Sequence, residues 1–163
     1  MKSVRLAAVF AVIMSVAFAS LSYAAKKEAA ALAVKSVEAS TVEKAENPEG
    51  APDVSAKNIL DGDMNTRWSS EFSDDNWIVL QLKKKATIKK VVIDWETACA
   101  KSYKILVSNN NKKWTEVYST DNCAGGHEEI DLEKASGKYV KIELLKRATE
   151  WGFSIFELQV LGY

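Results

Sequence analysis

Residues 58–70 read NILDGDMNTRWSS. Their centre, Asp61-Gly62-Asp63, predicts a tight acidic turn, because glycine accepts backbone dihedrals that other residues resist. Two carboxylates and the Thr66 hydroxyl are crowded within six residues. Such oxygens are the ligands that calcium prefers, but an Asx-type turn that caps its own backbone would use the same residues. Both interpretations stay open on spacing alone, since the full pattern of an EF-hand loop is absent.

The sequence around this stretch is rich in short β patterns. Residues 43–53 contain both prolines and predict a loop. About eight short strands without a long helical period predict an all-β fold, either an antiparallel sandwich or a barrel. The predicted strands are residues 34–39, 77–82, 87–95, 103–108, 113–119, 128–132, 138–144 and 154–161.

The order of these segments resembles that of discoidin domains. These are also called coagulation factor five/eight type C domains, and they overlap with family thirty-two carbohydrate-binding modules. The resemblance covers about residues 34–163 and implies a jelly-roll β-sandwich with the galactose-binding-like fold. It is carried by residues 58–70, VVIDWE at 91–96, YKILVS at 103–108 with Trp114, KYVKI at 138–142 and WGFSIFEL at 151–158.

A structural calcium ion is implied by the same resemblance, because members of the family often hold one between the acidic turn and the closing strand. Such an ion would join the start of the domain to its end. Carried over by position, its ligands would be the carbonyls of Asn58, Asp63 and Phe156, the carboxylates of Asp61 and Glu157, and an oxygen of Thr66.

Ligands of the resembling modules bind on loops at one rim of the sandwich. Sugar recognition needs an aromatic face and polar groups that hold hydroxyls. Trp151 would either stack on a sugar or plug the core, and Arg147 would either hold a hydroxyl or pair with Glu96. The candidate ligand-binding residues are Glu49, Glu71, Glu96, Arg147, Trp151 and Phe153.

The acids among these candidates bear on the choice of sugar. The spacing of Glu49, Glu71 and Glu96 is similar to that of the amine-reading acids in discoidin modules attached to chitosanases. This similarity implies a cationic, chitosan-like ligand, which carboxylates would attract. The three residues could instead be unrelated surface acids. Galactosides and uronic acids also stay open as ligands.

The function expected from these features is that of a non-catalytic carbohydrate-binding module. An enzyme is not expected, because glycoside hydrolysis needs two carboxylates around a cleft and the single histidine, His127, has no triad signature. Nucleic acid is a poor partner, because 22 Lys and Arg balance 22 Asp and Glu. The alternative function is an adhesion module for lipid or protein, although membrane binding is disfavoured by the acidic, polar loops.

The N-terminus predicts export. Lys2 and Arg5 precede an apolar run at residues 6–18, and small residues follow it. The run holds about 13 residues and is shorter than the roughly 20 of a membrane span. A signal peptide at 1–24 is therefore predicted, followed by a flexible tether at 25–33 and the β-sandwich at 34–163. The protein is then expected to be secreted or periplasmic.

The chain has two cysteines, Cys99 and Cys123, and the predicted export decides their expected redox state. An oxidising compartment usually closes such a pair. We therefore predict a disulfide between them, with two free thiols as the alternative.

Overall fold

The computed structural model describes residues 28–46 and 49–163. The predicted signal peptide and the first residues of the predicted tether lie outside these ranges. Within them, no helix is long and apolar enough to cross a membrane.

The described chain is almost entirely β-structure, and every strand pairing is antiparallel. The sheet order is β1-β8-β4-β7-β5-β6, with β2 on β4 and β3 on β8. This architecture confirms the predicted jelly-roll β-sandwich. The elements are β1 Ala30–Ala31, β2 Val34–Ala39, a 3-10 helix Ala56–Leu60, β3 Trp68–Ser69, β4 Asn76–Trp95, β5 Ala100–Ser108, β6 Thr115–Thr120, β7 His127–Arg147 and β8 Ser154–Gly162.

Two strands, β4 with 20 residues and β7 with 21, are much longer than the sequence predicts. Each joins two predicted strands, and the β4–β7 register breaks between Gln81 and Ala86. Before this break β4 pairs with β2, and after it β4 pairs with β8. Both long strands therefore pass from one layer of the sandwich to the other. The exposed residues 83–85 interrupt the apolar pattern, but they mark a bend within a strand and not a break between two strands.

The core between the layers is built from alternating strand residues and a few large aromatic side chains. Trp68, Tyr103 and Phe153 are all fully buried. The indole N–H of Trp68 donates a hydrogen bond of 3.0 Å to the carbonyl of Thr41. A buried indole is tolerated when its one donor is satisfied, so residues 58–70 anchor the fold through Trp68.

The domain begins earlier than predicted. Ala30 and Ala31 pair with Gly162 and Leu161 of β8, and the backbone N–H of Leu32 donates to the carbonyl of Val160 at 2.8 Å. Two residues of the predicted tether, Ala30 and Ala31, are therefore a short strand beside β8. Its alanine-rich sequence shows no alternation, and backbone hydrogen bonds to β8 hold it in place.

We predict that Trp68→Ala lowers the free energy of unfolding by about 3–5 kcal/mol, the usual loss for a buried aromatic residue. Trp151→Ala is the matched control, because the Trp151 side chain is 55% exposed; it should cost less than about 1 kcal/mol. Urea unfolding of both variants measures the difference. Equal losses would contradict the assignment of Trp68 to the core and Trp151 to the surface.

Candidate functional site

Two large aromatic side chains lie side by side on one rim of the sandwich. Phe72 is 50% exposed and Trp151 is 55% exposed. Their ring centroids are 5.6 Å apart and their planes meet at 82°, an edge-to-face contact. Exposed apolar groups that cluster in this way usually mark a binding surface.

The aromatic pair borders a depression of about 410 Å³. Its wall combines aromatic, carboxylate, guanidinium and hydroxyl groups, which is the mixture expected of a small-molecule site. The lining residues are Glu43, Arg67, Ser69, Phe72, Glu96, Thr97, Ala98 and Trp151.

The charged groups in this depression are held in place by the protein. The Glu96 carboxylate accepts the backbone N–H of Ala98 at 2.9 Å. Arg67 donates through Nη1 to Ser154 Oγ at 3.0 Å, and its Nη2 lies 3.9 Å from Glu43 Oε2. Arg67 and Glu43 are not among the residues predicted from the sequence. The position of Arg67 beside the core residue Trp68 is the signal that could have revealed its surface role.

Arg147 ties together the two loops that carry the aromatic pair. Its backbone N–H and its Nε both donate to Asp74 Oδ1, at 3.0 and 3.1 Å. Its Nη1 donates to the carbonyls of Glu150 and Trp151, at 2.8 and 3.1 Å. The N–H of Arg147 is the main cause of a lowered pKa at Asp74. The partner of Arg147 is therefore Asp74, and not the Glu96 considered from the sequence.

Gly152 lets the Trp151 loop approach residues 70–72. A Cβ at this position would lie 2.5 Å from the Ser70 carbonyl oxygen and 2.7 Å from its hydroxyl oxygen. The next residue, Phe153, donates its backbone N–H to Ser70 Oγ at 2.8 Å. Only a residue without a side chain fits so close to another backbone, so Gly152 fixes the distance between the two aromatic loops.

The structure brings some of the predicted ligand-binding residues together and separates others. Glu96 and Trp151 share the depression, while Glu71 pairs with Lys44 Nζ at 2.8 Å on a bordering loop. Glu49 is exposed but does not line the depression. Phe153 is fully buried, so the prediction that it contacts a ligand is corrected: it lies immediately before β8 and belongs to the core.

A second cluster joins the acidic turn to β8. The Glu157 carboxylate accepts the backbone N–H of Gly62 at 2.7 Å. The Thr66 hydroxyl donates to Asp61 Oδ2 at 2.8 Å and lies 3.0 Å from the Asp63 carbonyl oxygen. The carboxylate of Asp63 itself accepts the N–H of Asn65. The carbonyl oxygen of Asp63 therefore lies beside the Thr66 hydroxyl, while its carboxylate is engaged by Asn65.

Two further features describe this oxygen cluster. Burial and the neighbouring Asp61 raise the pKa of Glu157, and a cation would offset both effects. Phe156 lies between the paired residues Ile155 and Glu157, at a register shift opposite β4, and such a bulge takes backbone groups out of the sheet ladder. Within the described ranges no group of three or more His, Cys, Asp or Glu side chains could hold a metal, so the carbonyl and hydroxyl oxygens would have to complete the site.

The predicted disulfide is not formed. Cys99 and Cys123 are both free thiols in the structure. The Cys123 thiol donates instead to Glu128 Oε2 at 3.1 Å, and it accepts the N–H of Gly125 at 3.4 Å. Burial raises the pKa of Cys99, and it raises the pKa of Cys123 to about 12. Burial thus disfavours the thiolate form of both residues, and it is the thiolate that reacts.

Comparison with known proteins gives consistent results. The sequence model of the F5/8 type C domain matches residues 36–158. Chitosan-binding module 1 of a chitosanase/glucanase from Paenibacillus sp. IK-5 is 35% identical, with a TM-score of 0.71 over 81% of this chain and 97% of that one. Module 2 of the same enzyme, solved with chitotriose, is 31% identical, with a TM-score of 0.70 over 80% and 97% of the two chains.

A curated relative places a similar segment in a much larger protein. It is the polysaccharide lyase 8 family protein HylA of Enterococcus faecalis, which is 28% identical over 98 residues. The match covers 58% of this chain but 7% of the relative. The similarity therefore concerns a small part of that protein.

We predict that Arg147→Gln loosens the Trp151 loop without unfolding the domain. Amide hydrogen exchange at residues 150–152 should accelerate about tenfold or more, because hydrogen bonds worth about 1 kcal/mol each are lost. Lys146→Gln is the control, since it removes a neighbouring exposed cation but none of these bonds. Unchanged exchange in Arg147→Gln would show that the loop is held by other contacts.

Proposed function

The chain belongs to the F5/8 type C domain family, and from this premise we propose that it is an exported, non-catalytic domain that binds carbohydrate at the rim depression. The observation that carries the proposal is the exposed pair of Phe72 and Trp151 beside the carboxylate of Glu96. An aromatic face suits the apolar side of a pyranose, and fixed polar groups suit its hydroxyls.

The rim offers each part of a sugar a matching group. Trp151 supplies the larger exposed face, and the Phe72 ring meets it edge-on. Glu96 can accept hydrogen bonds from hydroxyl or ammonium groups, while Arg67 can donate them. Because Arg147 and Gly152 already fix the two loops, little ordering is required on binding.

We propose a glucosamine-containing, chitosan-like chain as the ligand. The chitosan-binding modules that resemble this chain support this choice, as do the acids around the depression. Glu43 and Glu96 line it, and Glu71 lies on its border. These carboxylates would attract a protonated amine and repel the carboxylate of a uronic acid.

The same charges argue against the alternative of a lipid-binding rim. Phe72 and Trp151 are large enough to enter a bilayer, but acidic residues lie around them. An anionic membrane surface attracts basic residues and repels acidic ones. Catalysis is equally disfavoured. Glu71, one of the two carboxylates considered for glycoside hydrolysis, is engaged by Lys44. An assay for soluble products from polysaccharides should therefore give none.

We also propose that the oxygen cluster at Asp61 and Glu157 holds a structural calcium ion. Asp61, Thr66 and Glu157 would supply side-chain oxygens, and Asn58, Asp63 and Phe156 would supply carbonyl oxygens. Calcium takes six to eight such ligands. The ion would fasten the acidic turn to β8, the strand that leads directly out of the Trp151 loop.

Trp151→Ala is expected to weaken binding of a glucosamine oligosaccharide by about 30-fold or more, the loss typical of an aromatic hot spot. Glu96→Gln should weaken it by about tenfold, because the carboxylate no longer attracts the ammonium group. Isothermal titration calorimetry measures both. Met64→Ala and Glu38→Gln are matched controls, since both residues are exposed and neither lines the depression.

Binding should also fall with added salt and as the pH rises past the pKa of the sugar amine. A neutral N-acetylated oligosaccharide should be bound more weakly than the amine form. Native affinity in Trp151→Ala would overturn the proposed site. Affinity that ignores salt and pH would overturn the proposed ligand while leaving the site in place.

Removal of calcium by a chelator is expected to lower the melting temperature by about 5 °C or more, because an ion that binds only the folded state stabilises it. Asp61→Asn should melt at the lower temperature and should ignore the chelator. Asp121→Asn, at an exposed position outside the cluster, is the control and should retain the response. A native melting curve that the chelator does not change would remove the ion.

Glu157 gives this calcium test a pH signature. Its pKa is raised in the folded protein, so without calcium the fold favours the protonated form. Stability should then fall as the pH rises from the unfolded value near 4.5 through the raised folded pKa. Glu157→Gln should lack this fall, and calcium should suppress it in the native protein. If the stability of the calcium-free native protein does not fall over this pH range, the assignment of Glu157 to the calcium site is contradicted.

A further inference from the structure

The end of the sandwich opposite the depression has a different chemistry. Strand β4 starts at Asn76 and finishes at Trp95, both at the rim, and it bends between the layers at residues 83–85. The bend of β7 at 133–136 and the turn at 109–113 lie at the same place, since Gly137 pairs with Ala86 and Ser108 pairs with Tyr139. We call these three segments, together with β1 and Tyr163, the far end.

The far end is rich in basic residues. Its three connecting segments carry exposed lysines, and the exposed acids beside them are Glu28, Asp131 and Glu133. Asp131 is paired with Lys90. Within residues 28–46 and 49–163, none of the lysines in these segments forms a salt bridge, and the same holds for Lys101 and Lys146 at the other end. The exposed lysines are Lys83, Lys84, Lys85, Lys112, Lys113 and Lys134.

One of these lysines occupies a backbone conformation that does not suit it. Lys134 has φ of 55°, in the left-handed region where a residue with a Cβ is disfavoured and glycine or asparagine is preferred. A glycine at position 134 would adopt this backbone conformation with less strain. The exposed lysine is therefore present despite a cost in backbone conformational energy.

A second depression opens among these lysines. It measures about 400 Å³, and apolar residues such as Ala30, Leu82 and Ala86 line it beside Glu28 and the lysines of the β4 bend. Tyr163 is 40% exposed at its edge, with Lys89 Nζ 5.7 Å from the ring centroid. The site thus combines an apolar wall, an aromatic ring and a row of cations.

We propose that the far end binds an acidic polysaccharide, a sugar chain that carries carboxylate or sulfate groups. The apolar wall and Tyr163 suit the face of a pyranose, and the lysines suit its anionic substituents. An anionic bilayer fits less well, because Tyr163 is the one large exposed hydrophobic residue at this end among those described. Duplex nucleic acid also fits less well, since a broad duplex would not enter a depression of this size.

The far end would give the domain two opposite specificities. The rim presents carboxylates to a cationic sugar, and the far end presents ammonium groups to an anionic one. The formal net charge of the chain is zero, so it is the separation of charge between the two ends that matters. The far-end site goes beyond the function proposed for the rim and does not depend on it. A domain with both sites would cross-link two kinds of polysaccharide.

The test compares two charge-matched double variants of the full domain. Lys84→Gln/Lys85→Gln removes two cations from the far end, and Lys101→Gln/Lys146→Gln removes two exposed cations from the other end. The probe is polygalacturonate, and its binding is measured by titration at low and moderate salt. The far-end variant should bind about tenfold more weakly, and native affinity should fall with salt. Lys101→Gln/Lys146→Gln and Trp151→Ala should both bind polygalacturonate with the affinity of the native domain.

Two further measurements make the result decisive. Lys134→Gly should stabilise the fold, because it relieves the left-handed residue, yet it should weaken polygalacturonate binding. Anionic vesicles and duplex DNA should bind more weakly than polygalacturonate at the same salt. Equal losses in both double variants would overturn the far-end site. Stronger binding of vesicles or DNA would overturn the acidic polysaccharide as its partner. If Trp151→Ala loses glucosamine binding but keeps polygalacturonate binding, the result bears on the rim site and leaves the far-end site unaffected.

Discussion

The antiparallel contact between residues 58–70 and β8 holds the whole arrangement together. Trp68 pairs with Ile155, and the backbone N–H of Ser70 donates to the carbonyl of Phe153 at 2.8 Å. Glu157 receives the N–H of Gly62 in the same region. One short contact thus buries Trp68 in the core, brings the acidic turn to β8 and sets the Trp151 loop beside Phe72.

This contact explains why two separate sites share the same strand. The oxygen cluster lies where β8 bulges at Phe156, and the aromatic rim lies just before the start of β8 at Ser154. A cation that fastens the acidic turn would also steady the loop that carries Trp151. Arg147 and Gly152 complete that support from the other side, because both hold the Trp151 loop against residues 70–74.

The fold could be predicted from the sequence because it rests on local patterns and on their order. Alternation predicts the strands near the core, and Asp61-Gly62-Asp63 predicts the acidic turn. The bends inside β4 and β7 could not be predicted from alternation, because a bend within one strand and a turn between two strands interrupt the apolar pattern in the same way. Ala30–Ala31 lacks alternation altogether, and only its hydrogen bonds to β8 reveal it as a strand.

The candidate site was less predictable, because its groups meet across long stretches of chain. The sequence leaves Trp151 open between a stacking face and a core plug, because nothing local distinguishes it from the buried Phe153 two residues later. The partnership of Arg147 with Asp74 and the place of Arg67 in the depression depend on loop packing. The hydrogen bond between the Cys123 thiol and the Glu128 carboxylate likewise joins groups on the two sides of a turn.

Trp151, Phe72 and Glu96 are proposed to form one carbohydrate site. An NMR titration of the isotope-labelled domain with a glucosamine trisaccharide shows whether they do. We expect the largest shift changes at the indole N–H of Trp151 and at the backbone amides of residues 72 and 96–98, with the far end unmoved. Saturable changes confined to another face of the sandwich, or no changes at all, would contradict the account.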